Sequence, residues 1–356
     1  MRGIMLAIIT IMKPLILKVQ YRDGSTFKAS DSFVRRWVQR HLNWTERKAT
    51  RAAQKVPEDW EDKCERSMLR KAYIIKEFDI PPDLYVNSDQ TQAVFCPGGK
   101  MTYAEVGAKQ VSLVGGEEKR AFTVMVSVAN DGTLLPFQAI YEGKTTKSCP
   151  DPNSQHYKDI IDAGMLLEFS GTKTYWSNMK TMKNFVDKIL DPYFMATQIR
   201  LKLPPSHMAL WQIDVWSVHR SAEFRDWMSK QYSNITLDYV PGGCTGLHQP
   251  CDVGIQRPFK QSLKRSYHEA VVKEMIKKIG QNLEVLTIDK CIKTLRDRSV
   301  AWLWNAYNTV NKPGLVKKVH WRAKRMHVTN DGVSRLDARF LYCFLIDHQN
   351  KCTIRK

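Results

Sequence analysis

Apolar and polar residues in this chain keep two different rhythms. From Ser30 to about Phe78 the period is helical. Ser32 can cap a helix with Phe33, Trp37 and Val38 facing inward and Arg35, Arg36 and Arg40 facing outward. Asn43-Trp44-Thr45 reads as a turn and new cap, leading into a second helical stretch carrying Arg47, Lys48, Arg51 and Lys55. Pro57 opens a further helix through Trp60, Cys64 and Leu69. From Leu84 to Gly143 the period drops to two. Residues 84–89, 121–128 and 134–141 predict three successive strands, the last two joined through Asn130-Asp131-Gly132, a strong hairpin signal.

Beyond a polar loop at 145–154 the two rhythms alternate. A helix is expected near 178–187, a buried strand over 208–213, a helix over 221–231 and a fifth strand over 235–240. A long amphipathic helix then runs on from Pro258, with Phe259, Leu263, Val271, Met275 and Ile279 near one face. Residues 288–308 continue helical, with Trp302, Leu303 and Trp304. Past Trp321 the chain is basic and loses clear periodicity. The pattern divides the chain into an N-terminal segment 1–29 of open structure, a basic helical region 30–80, a central domain 81–320 and a basic, disordered tail 321–356. The apolar run within Met1 to Leu17 ends at Lys13-Pro14, has no small-residue cleavage site and is too short to span a bilayer; it reads as a packed helix.

Charge changes this picture most. The 356 residues hold 55 Lys and Arg against 36 Asp and Glu, a formal net charge of +19. A field of that sign draws polyanions, so nucleic acid is the expected partner; with no other apolar run long enough to span a bilayer, a membrane is not. The eight cysteines are spread out and include no C-x-x-C pair, so neither a disulfide framework nor a zinc ribbon is indicated. Cys244, His248 and Cys251 lack a spaced fourth ligand and read as loop packing. Gly143-Lys144-Thr145 is no phosphate loop, because Gln138 stands where the leading glycine is needed.

Three acids occupy telling positions. Asp89 closes the first strand, Asp214 comes just after the buried fourth strand, and Asp252 lies where a loop passes into the long helix. A carboxylate at the tip of a buried strand is costly unless a cation, a charge or hydrogen bonds compensate it. Carboxylate oxygens are also the hard ligands that Mg²⁺ or Mn²⁺ prefers, and three could hold two ions for phosphoryl transfer. Asp252 taken alone reads equally well as a helix cap.

The element order and local motifs together resemble a known family. Asn87-Ser88-Asp89-Gln90-Thr91, then Glu118-Lys119-Arg120 with Asp131-Gly132, then Asp214 with His219-Arg220-Ser221, then Gln249-Pro250-Cys251-Asp252-Val253-Gly254 are similar to the motifs of the DDE superfamily endonuclease domain of pogo/Tigger-like transposases, related to the mariner group and to centromere protein B. The resemblance implies an α/β, RNase H-like domain with a mixed five-stranded sheet flanked by helices, preceded by a helix-turn-helix-like segment. It implies a metal-dependent nuclease and transposase, with Asp89, Asp214 and Asp252 as catalytic residues and ligands of two Mg²⁺ or Mn²⁺ ions. Arg35, Arg36, Arg47, Lys48, Arg51, Lys119 and Arg120 become the expected DNA contacts. His219 is either an auxiliary group for proton transfer or phosphate, or a packed histidine. A homodimer and nuclear residence, the latter supported by Lys317, Lys318, Arg322, Lys324 and Arg325, complete the expectation. The alternative is a catalytically inactive or domesticated relative that only binds DNA, which the short stretch ahead of Asp89 favours.

Overall fold

The computed structural model describes residues 24, 30–48, 57–96, 101–105, 120–280 and 288–325. The chain divides into two compact units, one of Met1–Gln54, Val94–Arg120 and Lys264–Thr294, the other of Lys55–Ala93, Ala121–Leu263 and Leu295–Lys356.

The first unit contains helix α1 (Asp31–Leu42) and strand β1 (Trp44–Lys48). Ser30, not Ser32, caps α1, its hydroxyl accepting from the Phe33 amide at 3.2 Å. The helix buries Val34 and Val38, one turn apart, while Trp37 stays 37% exposed. Asn43 ends it in the left-handed region at φ 51. The next residues depart from the expected second helix. Trp44–Lys48 pairs antiparallel with β3 (Met101–Glu105), Trp44 opposite Glu105 and Lys48 opposite Met101. Basic residues at 47 and 48 suggested a helix face, but they lack the apolar spacing that would stabilise one, and a distant strand supplied the hydrogen bonds instead. Arg51, Lys119, the run from Met1 to Leu17 and the tail beyond 325 lie outside the described residues.

The second unit opens with helix α2 (Trp60–Glu77) and is built on a six-stranded sheet: β2 (Tyr85–Val94), β4 (Ala121–Ala129), β5 (Gln138–Tyr141), β6 (Leu166–Phe169), β7 (Ala209–Ile213) and β8 (Ile235–Tyr239). Its order is β6-β5-β4-β2-β7-β8. β4 and β5 are antiparallel, whereas β5 with β6, β2 with β7 and β7 with β8 are parallel. Setting β6 aside, the order is that of an RNase H-like sheet, with the first strand at its centre. The sixth strand was not foreseen. It is four residues long and only partly buried, too short to announce itself by alternation. It reaches its parallel place beside β5 through α3 (Tyr157–Asp162).

Local chemistry explains the connections. Gly132, at φ 110, turns the β4–β5 hairpin. The Asp131 carboxylate accepts there from the Thr133 amide at 2.9 Å and hydroxyl at 2.7 Å. Asn178 and Thr181 form a reciprocal capping box that starts α4 (Met179–Phe185). A π-turn, Val186–Leu190, carries it directly into α5 (Asp191–Arg200). Then come α6 (Ser217–Arg220), α7 (Ala222–Gln231), α8 (Thr245–His248), α9 (Gln256–Gly280), α10 (Ile292–Val310) and α11 (Pro313–Arg325). The last of these carries regular structure past Trp321, where the pattern faded: Val316, Val319, His320 and Ala323 are buried at helical spacing. Among the described residues no helix is long and apolar enough to cross a membrane. The core centres on Trp211, whose ring lies 5.8 Å from Phe185 and 6.2 Å from Phe224.

Candidate active site

Asp89 lies within β2, which runs on to Val94, rather than closing it. The two residues before it face the interior and are fully used. Asn87 donates to the Gln212 carbonyl at 3.2 Å. The Ser88 hydroxyl shares a 2.7 Å hydrogen bond with Ser127 and accepts from the Trp211 indole at 2.8 Å. Gln212 in turn accepts from the Tyr85 hydroxyl and donates to Asp238. Asp238 is buried and held by Arg70 at 2.6 Å, the pairing that an enclosed carboxylate requires. This network locks β2 against β7 at the height of the first two acids.

Asp214 comes directly after the last residue of β7, where strand pairing ends and its side chain is 33% exposed. His219 Nδ1 sits 2.8 Å from its Oδ1 and 3.3 Å from its carbonyl oxygen, so that nitrogen carries the proton. The imidazole is buried, edge-on to Trp216, and the Tyr239 hydroxyl donates to its backbone carbonyl. His219 is thus a packed ring that holds the second acid.

Asp252 lies in a π-turn, Cys251–Ile255, that runs without a break into α9. Helical backbone begins before it, so it does not cap the helix. π-turns of this kind recur at functional sites. Gly254, two residues on, lets α11 approach; a Cβ there would collide with Val319 Cγ1. The Cys251 amide donates to Asn87 Oδ1 at 3.0 Å, tying the turn to β2.

Two of the three carboxyls are shifted by their surroundings. Burial pushes the Asp89 carboxyl well above its ordinary range, and the charges of Asp252 and Asp214 push it further, against hydrogen bonds from Gln256 and Gln249. Burial also raises Asp252, opposed by hydrogen bonds from Thr245 and Asp89. Among the described residues no group of three or more His, Cys, Asp and Glu is set to hold a metal ion. Like charges without a cation have no reason to close up, and Asp214 is engaged by His219. The donor set nevertheless suits a hard divalent cation. Besides three carboxylates, the buried oxygens Gln249 Oε1 and Gln256 Oε1 have no hydrogen-bond partner, on residues that touch Asp89.

Cysteine and histidine do not converge nearby. Cys251 Sγ faces the carbonyls of Asn87 and Val126, whereas His248 Nε2 faces Lys71 Nζ at 2.9 Å and Ser67 at 3.2 Å. Burial lowers the Lys71 ammonium to about 8 from 10.5, partly offset by Asp238. The folded chain then binds fewer protons than the unfolded chain between those values, so this group adds stability as pH rises through that window. Lys71→Met is expected to be more stable than wild type at pH 7, by a margin that shrinks between pH 8 and 10.5. Urea midpoints across that range measure it, and a constant margin would count against the assignment.

Among the expected DNA contacts, Arg35 and Arg36 are exposed on α1, and Arg47 and Lys48 lie on β1. Arg120 precedes β4 and donates to the Lys290 carbonyl at 2.8 Å. Sequence reasoning missed Gln249 and Gln256, although they stand three residues before and four after Asp252, the spacing that brings helical neighbours to one side.

The chain is similar to several known proteins. The family described as DDE superfamily endonuclease matches residues 119–312, a segment that contains Asp214 and Asp252 and begins after Asp89. The human protein "Pogo transposable element with KRAB domain" is 22% identical over 303 residues, covering 83% of this chain and 44% of that protein. The chain thus spans less than half the length of that relative. Among solved structures, the Mos1 mariner paired end complex with Mn aligns over 86% of this chain and 72% of its own, at 12% identity and a TM-score of 0.43. The Mos1 transposase catalytic domain with Raltegravir and Mg aligns over 79% and 98%, at 10% identity and a TM-score of 0.39.

Proposed function

The chain belongs to the DDE superfamily of endonucleases, and from that premise we propose that it is a metal-dependent DNA nuclease of transposase type, cleaving phosphodiester bonds and joining strands. The observation that supports this reading is the position of the three residues in the fold: Asp89 on a central strand, Asp214 just past the end of its parallel neighbour and Asp252 in the turn into α9. These three residues would hold Mg²⁺ or Mn²⁺, which supplies activation of the attacking hydroxyl and stabilisation of charge on the leaving oxygen. The protein's part is placement. The β2–β7 network fixes Asp89, His219 orients Asp214, and the stitched π-turn presents Asp252.

DNA is the substrate that the net charge of +19 favours. Arg35, Arg36, Arg47, Lys48, Arg51, Lys119 and Arg120 are the proposed phosphate contacts, and paired DNA ends would call for a homodimer acting in the nucleus. Replacing Arg35 and Arg36 together by Ala is expected to reduce the slope of log affinity against log salt by roughly 2, at one phosphate each. An unchanged slope would remove them from the footprint.

A second reading is a relative that binds DNA without cutting it, for which the net charge of +19 is sufficient. Nicking of supercoiled DNA decides between the two. The nuclease relaxes the plasmid in Mn²⁺ or Mg²⁺ and stops in EDTA; binding without nicking under any of these conditions supports the second reading.

A further inference from the structure

The segment around Asp252 is stitched to β2 at three successive residues. Gln249 Nε2 donates to the Ser88 carbonyl at 3.4 Å, the Cys251 amide to Asn87 Oδ1 at 3.0 Å, and Gln256 Nε2 to Asp89 Oδ2 at 2.7 Å. Both glutamines are enclosed, Gln249 with no exposure and Gln256 with 6%. Each spends its amide nitrogen on the first-acid motif, and each keeps an amide oxygen buried without a partner. Fold stability alone gives no reason for this, because a buried acceptor left unsatisfied is a net cost that an apolar side chain of similar shape would avoid. Two such oxygens beside one carboxylate mark a place meant to receive hydrogen-bond donors. Mg²⁺ and Mn²⁺ bound by a few carboxylates keep part of their hydration water, whose hydrogens need acceptors.

We propose that Gln249 and Gln256 are positioning residues of a divalent-cation site, their NH₂ groups holding the Asp89 segment and their free carbonyl oxygens receiving the cation's hydration water. This rests on the reading of Asp89, Asp214 and Asp252 as cation ligands. It adds that the site is completed by neutral amides from the same turn that delivers the third acid. Gln256, four residues beyond Asp252, ties the first acid to the element that carries the third.

The test is Mn²⁺ titration of the full chain, monitored by the loss of the free-ion electron paramagnetic resonance signal, beside thermal melting in EDTA. Gln256→Met keeps the length and bulk of the side chain and removes both donor and acceptor. It is expected to weaken Mn²⁺ binding about 10–100-fold, with Gln249→Met acting in the same direction. A merely structural role would instead lower the EDTA melting temperature and leave Mn²⁺ affinity unchanged. Should Gln256→Met fail to fold, Gln256→Asn, which withdraws the same amide by one methylene, takes its place with the same expected direction. Wild-type affinity in the folded variant overturns the amide role and leaves the three-acid site standing. Absence of Mn²⁺ binding in wild type overturns both.

Discussion

Asp214→Asn is expected to lower metal-dependent nicking of supercoiled DNA by roughly 10³-fold, or ~4 kcal/mol of transition-state stabilisation. The substitution is close to isosteric, and the amide oxygen can still accept from His219 Nδ1, so the local fold has no reason to change. What disappears is one negative charge from a cluster in which it helps to raise Asp89. Without cation the variant should therefore be no less stable than wild type. Activity and stability then part company, which separates loss of a ligand from loss of structure. Nicking rates in Mn²⁺ and melting in EDTA provide the two readings. Equal nicking by wild type and variant would remove Asp214 from the mechanism.

Trp211→Ala should act in the opposite way, with its main effect on stability. The indole is fully buried between Phe185 and Phe224, and removing a ring of that size from a packed core costs about 3–5 kcal/mol. It also withdraws a 2.8 Å hydrogen bond from Ser88, the residue before Asp89. Trp211→Phe separates the two contributions. It keeps most of the apolar volume and should recover more than half of the loss, leaving the share due to the missing donor. Urea unfolding midpoints measure both variants. A loss below ~1 kcal/mol for Trp211→Ala would show that the strand is held by its hydrogen-bond network instead.

The parts legible in the sequence are those written in short-range pattern. The first half of Tyr85–Val94, with Ala121–Ala129, Ala209–Ile213 and Ile235–Tyr239, announced itself by alternation or by apolar runs, and Asp131-Gly132 announced its turn; the continuation of the first strand past Asp89 did not. The order of those strands made an RNase H-like sheet foreseeable, and the family match to residues 119–312 bears out the resemblance to DDE endonucleases. The positions of Asp214 at a strand end and Asp252 at the start of a long helix were readable for the same reason; their roles as ligands rest on the proposed cation site. What escaped depends on partners far along the chain. Trp44–Lys48 became a strand because Met101–Glu105 lies beside it, and Leu166–Phe169 became one because β5 offered an edge. Gln249 and Gln256 escaped because a buried amide leaves no periodic trace.

Gly254 carries a practical consequence. The family match stops at residue 312, and α11, which packs against Gly254 through Val319, starts at Pro313. The match also starts thirty residues past Asp89 (119 − 89 = 30). A fragment trimmed to those limits would carry two of the three acids and would bare the flank of the turn that presents Asp252. Recombinant work on this domain should therefore keep at least 57–325, since the shorter piece lacks Asp89, one of the three proposed cation ligands, and its failure to cut DNA would say nothing of the full chain.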